Sequence, residues 1–390
     1  MPFVFLGGVL GVSYLAKATM FPISFVFLGL SLFSIGNLRH AIPRVLVAVF
    51  VFLMVAGPFI TALSVIKGRL TFSDTPRLNY AWWVGGVPTY IHWQGEPRGT
   101  GTPKHPTRKI FDTPAVYEFG TPIGGTYPPW YDPSYWHEGL ILRFDVKRQL
   151  SHLASSVGFY ADLLIRFPKS AIITTFLLLC VMAGTGLREF LKNVAGNWIL
   201  AAPAIAALVM YSLVHVEWRF LGSFIVLLFA AVAASIRVAG SNESKRLLAH
   251  ASTAMLVVIV VSFGILTLLS VANQFAGKGS RVHSQWQVAK GLENLGIRPG
   301  DKVAFIGDSL YEYWARLARV RIVADIPGRN VAIFWNMDDM VRSRAIEAVA
   351  KTGAKFIVTK KIGIYPSIKS WQRIANTDYY SHALPGDGGG

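Results

Sequence analysis

YEFGTPIGGTYPPWYDPSYWHEG, residues 117 to 139, is the stretch on which the reading of this chain turns. It is crowded with Pro and Gly, which break helices and ladders, and with large rings, which need something to pack on or to bind. It lies at the centre of a polar, aromatic region, Lys67 to about Pro168, far longer than the ~2 to 8 residues that usually join helices in a bundle. On either side the sequence is apolar at membrane grade. The region therefore reads as a folded extramembrane loop rather than a solvated linker.

Composition points the same way. Of 390 residues, 53% are hydrophobic and only 15% charged, which is not the balance of a soluble chain. A helix needs about 17 to 25 apolar residues to cross a bilayer. Candidate spans fall at roughly 2–16, 20–36, 45–66, 169–185, 197–215, 219–238 and 250–273. The expectation is a polytopic α-helical membrane protein of about seven spans: transmembrane helices over 1–66 and 169–275, an exported aromatic loop domain over 67–168 and a small C-terminal α/β domain over 281–385.

Lys and Arg close to span ends are held on the cytoplasmic side. Arg39 and Arg44, then Arg188 and Lys192, then Arg237, Lys245 and Arg246 mark three short loops that alternate correctly for that side. The Lys17 turn, the long loop, the HVEWR turn and the tail then lie outside. The formal charge of +17 is spread over loops and tail with no basic stripe and no nucleic-acid motif, so nucleic acid is excluded as a partner and membrane lipid is implied. Cys180 is the single cysteine and sits in an apolar run, which excludes a disulfide framework and a cysteine metal site.

In the tail, Lys302–Ile306, Arg321–Asp325 and the run AKFIVTK read as β, with helical patterns between them, so a small parallel α/β layer is expected. Asp308 and Ser309 either line the carboxyl edge of that layer or cap the helix that follows. Capping is the reading adopted, because neither G-x-G-x-x-G nor a P-loop is present.

Three groups of residues carry possible chemistry. In WYDPSYWHE the rings of Trp130, Tyr131 and Trp136 can stack on sugars beside Asp132, His137 and Glu138, or they can form the loop's own core or an interfacial belt. His92, His105, Asp112, Asp132, His137 and Glu138 match no metal-ligand spacing, so no metal is assigned and no cofactor is called for, although a divalent ion stays open. In HVEWRF, His215, Glu217 and Arg219 occupy the turn between two apolar runs, where Arg219 is suited to a phosphate or else pairs with Glu217. Lys17 interrupts two apolar runs on the same side, as a phosphate contact or a lysine reaching headgroups.

GVSYLAKATMFP, AGPFITAL and YSLVHVEWRFLGSFIVLL resemble the later half of bacterial GT-C glycosyltransferases, the group with aminoarabinose and mannosyl transferases that use polyprenyl-phosphate sugars. The resemblance implies the bacterial cytoplasmic (inner) membrane, a polyprenyl-phosphate sugar donor held by Lys17 and Arg219, and a long loop covering the site. The family's catalytic carboxylate belongs to a first exported loop with no counterpart here, so no catalytic residue is carried over to Asp74, Asp112 or Asp132. A missing front half, or a partner subunit supplying it, is expected. The alternative from another class is a non-catalytic membrane protein that binds envelope glycan or a partner subunit.

Overall fold

The computed structural model describes residues 1–33, 35–120, 132–165, 173–174, 187–236, 242–275, 281–360 and 370–385. Two compact units emerge, one from residues 1–87 with 142–255 and the other from 88–141 with 256–390. In chain order the helices are α1 (Pro2–Ala16), α2 (Met20–Ser31), α3 (Leu38–Lys67), α4 (Thr75–Trp83), α5 (Val146–Ile165), α6 (Leu187–Gly196), α7 (Trp198–Val214), α8 (Trp218–Ser235), α9 (Asn242–Phe275), α10 (Arg281–Asn294), α11 (Tyr313–Leu317), α12 (Gly328–Asn336) and α13 (Asp339–Ala350).

The expected seven spans are corrected. Among the described residues only α3, with 30 residues and mean hydropathy 2.6, and α8, with 18 residues and mean hydropathy 1.8, are long and apolar enough to cross a membrane alone. A third candidate is α6 with α7, two helices bent by 86° where they join. The apolar runs at the N-terminus fold as helices of 15 and 12 residues. At 1.5 Å per residue they reach about 18 to 23 Å, short of a ~30 Å hydrocarbon core. The run expected at 250–273 lies within α9, a single helix of 34 residues whose described apolar stretch is Val260–Asn273. The run at 169–185 lies outside the described residues apart from 173–174.

What packs the first unit is small residues at close approach. A Cβ on Gly7 would collide with the Ala48 carbonyl oxygen, and one on Gly11 would stand 2.6 Å from Val55 Cβ. Gly7 and Gly11 lie one turn apart, so the backbone of α1 settles against the buried stripe Ala48, Phe52 and Ala56 of α3. Above this seam Tyr14 donates a hydrogen bond of 2.7 Å to the Phe72 carbonyl, and Phe21 stacks on Phe72 at 4.5 Å. On the other side of the unit, α5 meets the end of α7 through hydrogen bonds. Tyr160 donates to Leu208 O at 2.6 Å and Gln149 to Leu213 O at 3.0 Å, the second satisfying a carbonyl in the last turn of α7.

The second unit is built on a seven-stranded mixed sheet in the order β1-β2-β4-β3-β5-β7-β6. Its strands are β1 (Arg108–Phe111), β2 (Val116–Glu118), β3 (Lys302–Ile306), β4 (Arg321–Ile326), β5 (Phe356–Lys360), β6 (Gln372–Arg373) and β7 (Tyr379–Ala383). The three β runs read in the tail form its parallel centre, β4-β3-β5, buried on both faces as such strands must be. Antiparallel strands extend it on both flanks, so the layer is mixed and larger than expected. The β1–β2 hairpin comes from the aromatic loop: Tyr117 pairs with Asp325 and Glu118 with Ala324. Two apolar clusters fill the faces, one around Trp314, Phe305, Leu292 and Trp136, the other around Phe334, Ile357, Ile306 and Val116.

Candidate anion-binding site

In the helical unit the two pieces singled out, the Lys17 turn and HVEWRF, come together. Lys17 ends α1 in extended conformation, with its N–H bonded to the Ser13 and Tyr14 carbonyls. Its ammonium lies 4.3 Å from the centre of the Phe220 ring and 5.6 Å from that of Tyr211. Two residues on, Thr19 and the Tyr211 hydroxyl are 3.0 Å apart, tying this turn to α7. The Arg219 guanidinium reaches the same Phe220 ring at 5.0 Å. One aromatic ring is therefore approached by two cations about two hundred residues apart in the chain, each stabilised by the ring's electron-rich face.

Carboxylate is scarce at this mouth. Glu217 holds Arg219 at 2.9 Å through Nε and stands 3.8 Å from His215 Nε2. Among the described residues no carboxylate lies within ion-pairing distance of Lys17. His215 stacks on Trp83 at 4.0 Å and nearly parallel. Burial pulls the His215 imidazole below its ordinary range, with Glu217 opposing. Two fixed cations thus face one carboxylate and an imidazole biased to neutrality, an excess of positive charge with aromatic walls. The Arg219 side chain is 62% exposed, so its terminal N–H groups remain accessible to an anion.

The residues of WYDPSYWHE are placed differently. Trp130 and Tyr131 lie outside the described residues. Trp136 is buried in the sheet unit's core, edge-on to Phe119 and to Tyr135. His137 is buried against Trp93, with Nε2 3.0 Å from the Pro88 carbonyl. Asp132 accepts a 2.5 Å hydrogen bond from Ser134, and Glu138 pairs with His105 at 2.8 Å while His105 stacks on Tyr135. Of the unassigned carboxylates, Asp74 is held by Lys67 at 3.3 Å and by Arg69, and Asp112 by Lys109 at 3.1 Å. No group of three metal-ligating side chains occurs among the described residues.

Nor do Asp308 and Ser309 cap the turn after β3. Asp308 instead accepts from the Gly328 N–H at 3.0 Å, and Ser309 donates to Asp325 at 2.5 Å. Asp325 also meets His92 Nε2 at 2.8 Å, off the line of a good hydrogen bond, and His92 Nδ1 is 2.8 Å from Thr107. Sequence reasoning missed this buried constellation, which joins the aromatic loop to the tail. Its members are too far apart in the chain for any spacing to announce them. Phe220, Tyr211 and Trp83 were missed too, although Phe220 stands in the quoted turn.

No family model, curated protein or solved structure matches this chain. The fold and the site together define a protein with helices able to cross a membrane, a mixed α/β unit, and a cationic aromatic mouth at one helix end.

Proposed function

We propose that the Lys17–Phe220–Arg219 mouth holds the phosphate of a polyprenyl-phosphate sugar, and that the protein serves in transferring this sugar to an envelope acceptor, as a membrane glycosyltransferase of the GT-C type. The observation that carries the reading is the convergence of Lys17 and Arg219 on Phe220. A phosphate bridging them would gain charge-assisted hydrogen bonds at the surface of an apolar helix bundle, where the lipid chain of such a donor belongs. The reading places the protein as a multi-pass protein of the bacterial inner membrane. The mouth faces outward, while the basic opposite ends of the helices, at Arg39, Arg44, Arg188 and Lys192, face the cytoplasm.

In the transfer the acceptor hydroxyl oxygen bonds to the anomeric carbon as the bond to the phosphate oxygen breaks. The hydroxyl proton passes to a carboxylate base, and Lys17 and Arg219 neutralise the departing phosphate. The base is assigned to a partner subunit or to a further segment of the protein, since Glu217 is engaged by Arg219. Polyprenyl phosphate titrated into the full chain in nanodiscs tests the donor site. Lys17→Ala and Arg219→Ala are each expected to weaken binding about tenfold or more, with the thermal midpoint unchanged. Affinity unchanged from the wild type in both variants overturns the assignment. Binding without any sugar transfer, even with the partner present, leaves a glycan-carrier-binding protein and removes the enzyme.

A further inference from the structure

On the sheet unit, a groove of about 290 Å³ is lined by Trp286, Lys290 and Glu293 of α10 and by Leu317 and Arg319 at the end of α11. Trp286 is 50% exposed, whereas Trp93, Trp136, Trp314 and Trp335 of the same unit are buried. The Lys290 ammonium lies 6.0 Å from the Trp286 ring centre and 2.8 Å from Glu293. Arg319 is the more telling residue. It follows the last turn of α11 with φ +57, the left-handed position that ends many helices and that glycine or asparagine takes at least cost. Around it the chain closes by hydrogen bonds from Arg319 N–H to Arg316 O at 3.1 Å and from Val320 N–H to Ala315 O at 2.9 Å. The backbone favours glycine here, and the chain carries an arginine that lines the groove.

We propose that this groove binds a negatively charged pyranose, a sugar ring bearing a carboxylate such as a uronic acid residue of an envelope glycan. The apolar face of the ring stacks on Trp286, the carboxylate meets Arg319 and Lys290, and Glu293 accepts from a ring hydroxyl. The volume is at the small end for ligand sites and suits a single sugar residue. This site is independent of the phosphate mouth, and its test uses neither donor nor transfer activity.

Saturation-transfer NMR on the full chain in detergent, with glucuronate and with glucose as probes, decides the matter. Glucuronate is expected to bind about tenfold more tightly than glucose. Trp286→Ala should abolish both signals. Arg319→Gly, which relieves the left-handed backbone and so leaves the fold at least as stable, should bring glucuronate down to the level of glucose. Equal binding of the two sugars, or glucuronate binding untouched by Arg319→Gly, overturns the proposal. So does binding to phosphatidylglycerol vesicles through Trp286 and Arg319 with no glucuronate signal, which makes the patch a lipid-headgroup contact.

Discussion

Replacing Asp325 by Ala should loosen the aromatic loop from the tail. Asp325 and His92 are almost wholly shielded, their side chains 1% and 2% exposed, and Ser309 spends its hydroxyl on the same carboxylate. Truncation strands the Ser309 hydroxyl in the core without a partner and removes the carboxylate that His92 Nε2 faces. Leaving buried polar groups without the carboxylate they share costs about 1–3 kcal/mol each. Because His92 stacks on Tyr117 at 4.0 Å and Tyr117 pairs with Asp325 in the sheet, the loss falls on the β2–β4 seam. Hydrogen exchange read by mass spectrometry should therefore show protection of the Val116–Glu118 amides falling by roughly thirtyfold to ten-thousandfold, at one decade per ~1.4 kcal/mol. Amides of β5 and β7, on the far side of β3, should change less. Asp325→Asn keeps the shape and an acceptor for Ser309, and is expected to cost only about 1–2 kcal/mol. A change under tenfold at β2 in Asp325→Ala, or an equal change in both variants, refutes the idea that this carboxylate fastens the loop.

Two further outcomes follow from the helical unit. Gly7→Leu should destabilise it by about 1–3 kcal/mol through overpacking against Ala48, while Gly8→Ala, whose Cβ meets nothing within 4 Å, should be neutral or slightly stabilising; thermal unfolding in detergent separates them. Since burial lowers the His215 pKa in the folded state, the unfolded chain takes up a proton first as the pH falls, so the His215 contribution is intact above about pH 6.5 and is lost as the pH drops toward the folded value. The midpoint should decline between about pH 7.5 and 5.5, and His215→Gln should remove that part of the decline; an unchanged slope in the variant contradicts the assignment.

Much of the sheet could be read directly because its parallel strands are continuous apolar runs between helical periods: Lys302–Ile306 and Arg321–Asp325 differ from the observed strands by at most one residue. The β1–β2 hairpin was hidden because its partners are more than two hundred positions away, and KHPTRK, part of which becomes β1, has the composition of a solvated turn. Span counting failed for a related reason. An apolar window registers composition but not where Lys17 or a sharp bend ends the helix, and at α1, α2 and α6–α7 those interruptions decide the length. Lys17 and Arg219 were each legible as phosphate contacts from their own turns, but only the resemblance put them on one phosphate, since nothing local in either segment points to the other. Trp136 and His137 illustrate the opposite limit: a ring beside an imidazole has the same letters whether it lines a sugar site or fills a core.

The hydrogen bonds between β2 and β4 carry one more implication, for how the chain threads a bilayer. Residues 116–118 and 321–326 can share a ladder only if they are in the same aqueous compartment. Whatever lies between them must come back to the side it left, so its passages through lipid occur in pairs or not at all. If α8 crosses, another passage from the same interval has to accompany it, and the bent α6–α7 pair is available for the return. A topology map with an odd number of passages between those two strands cannot be drawn without tearing the sheet.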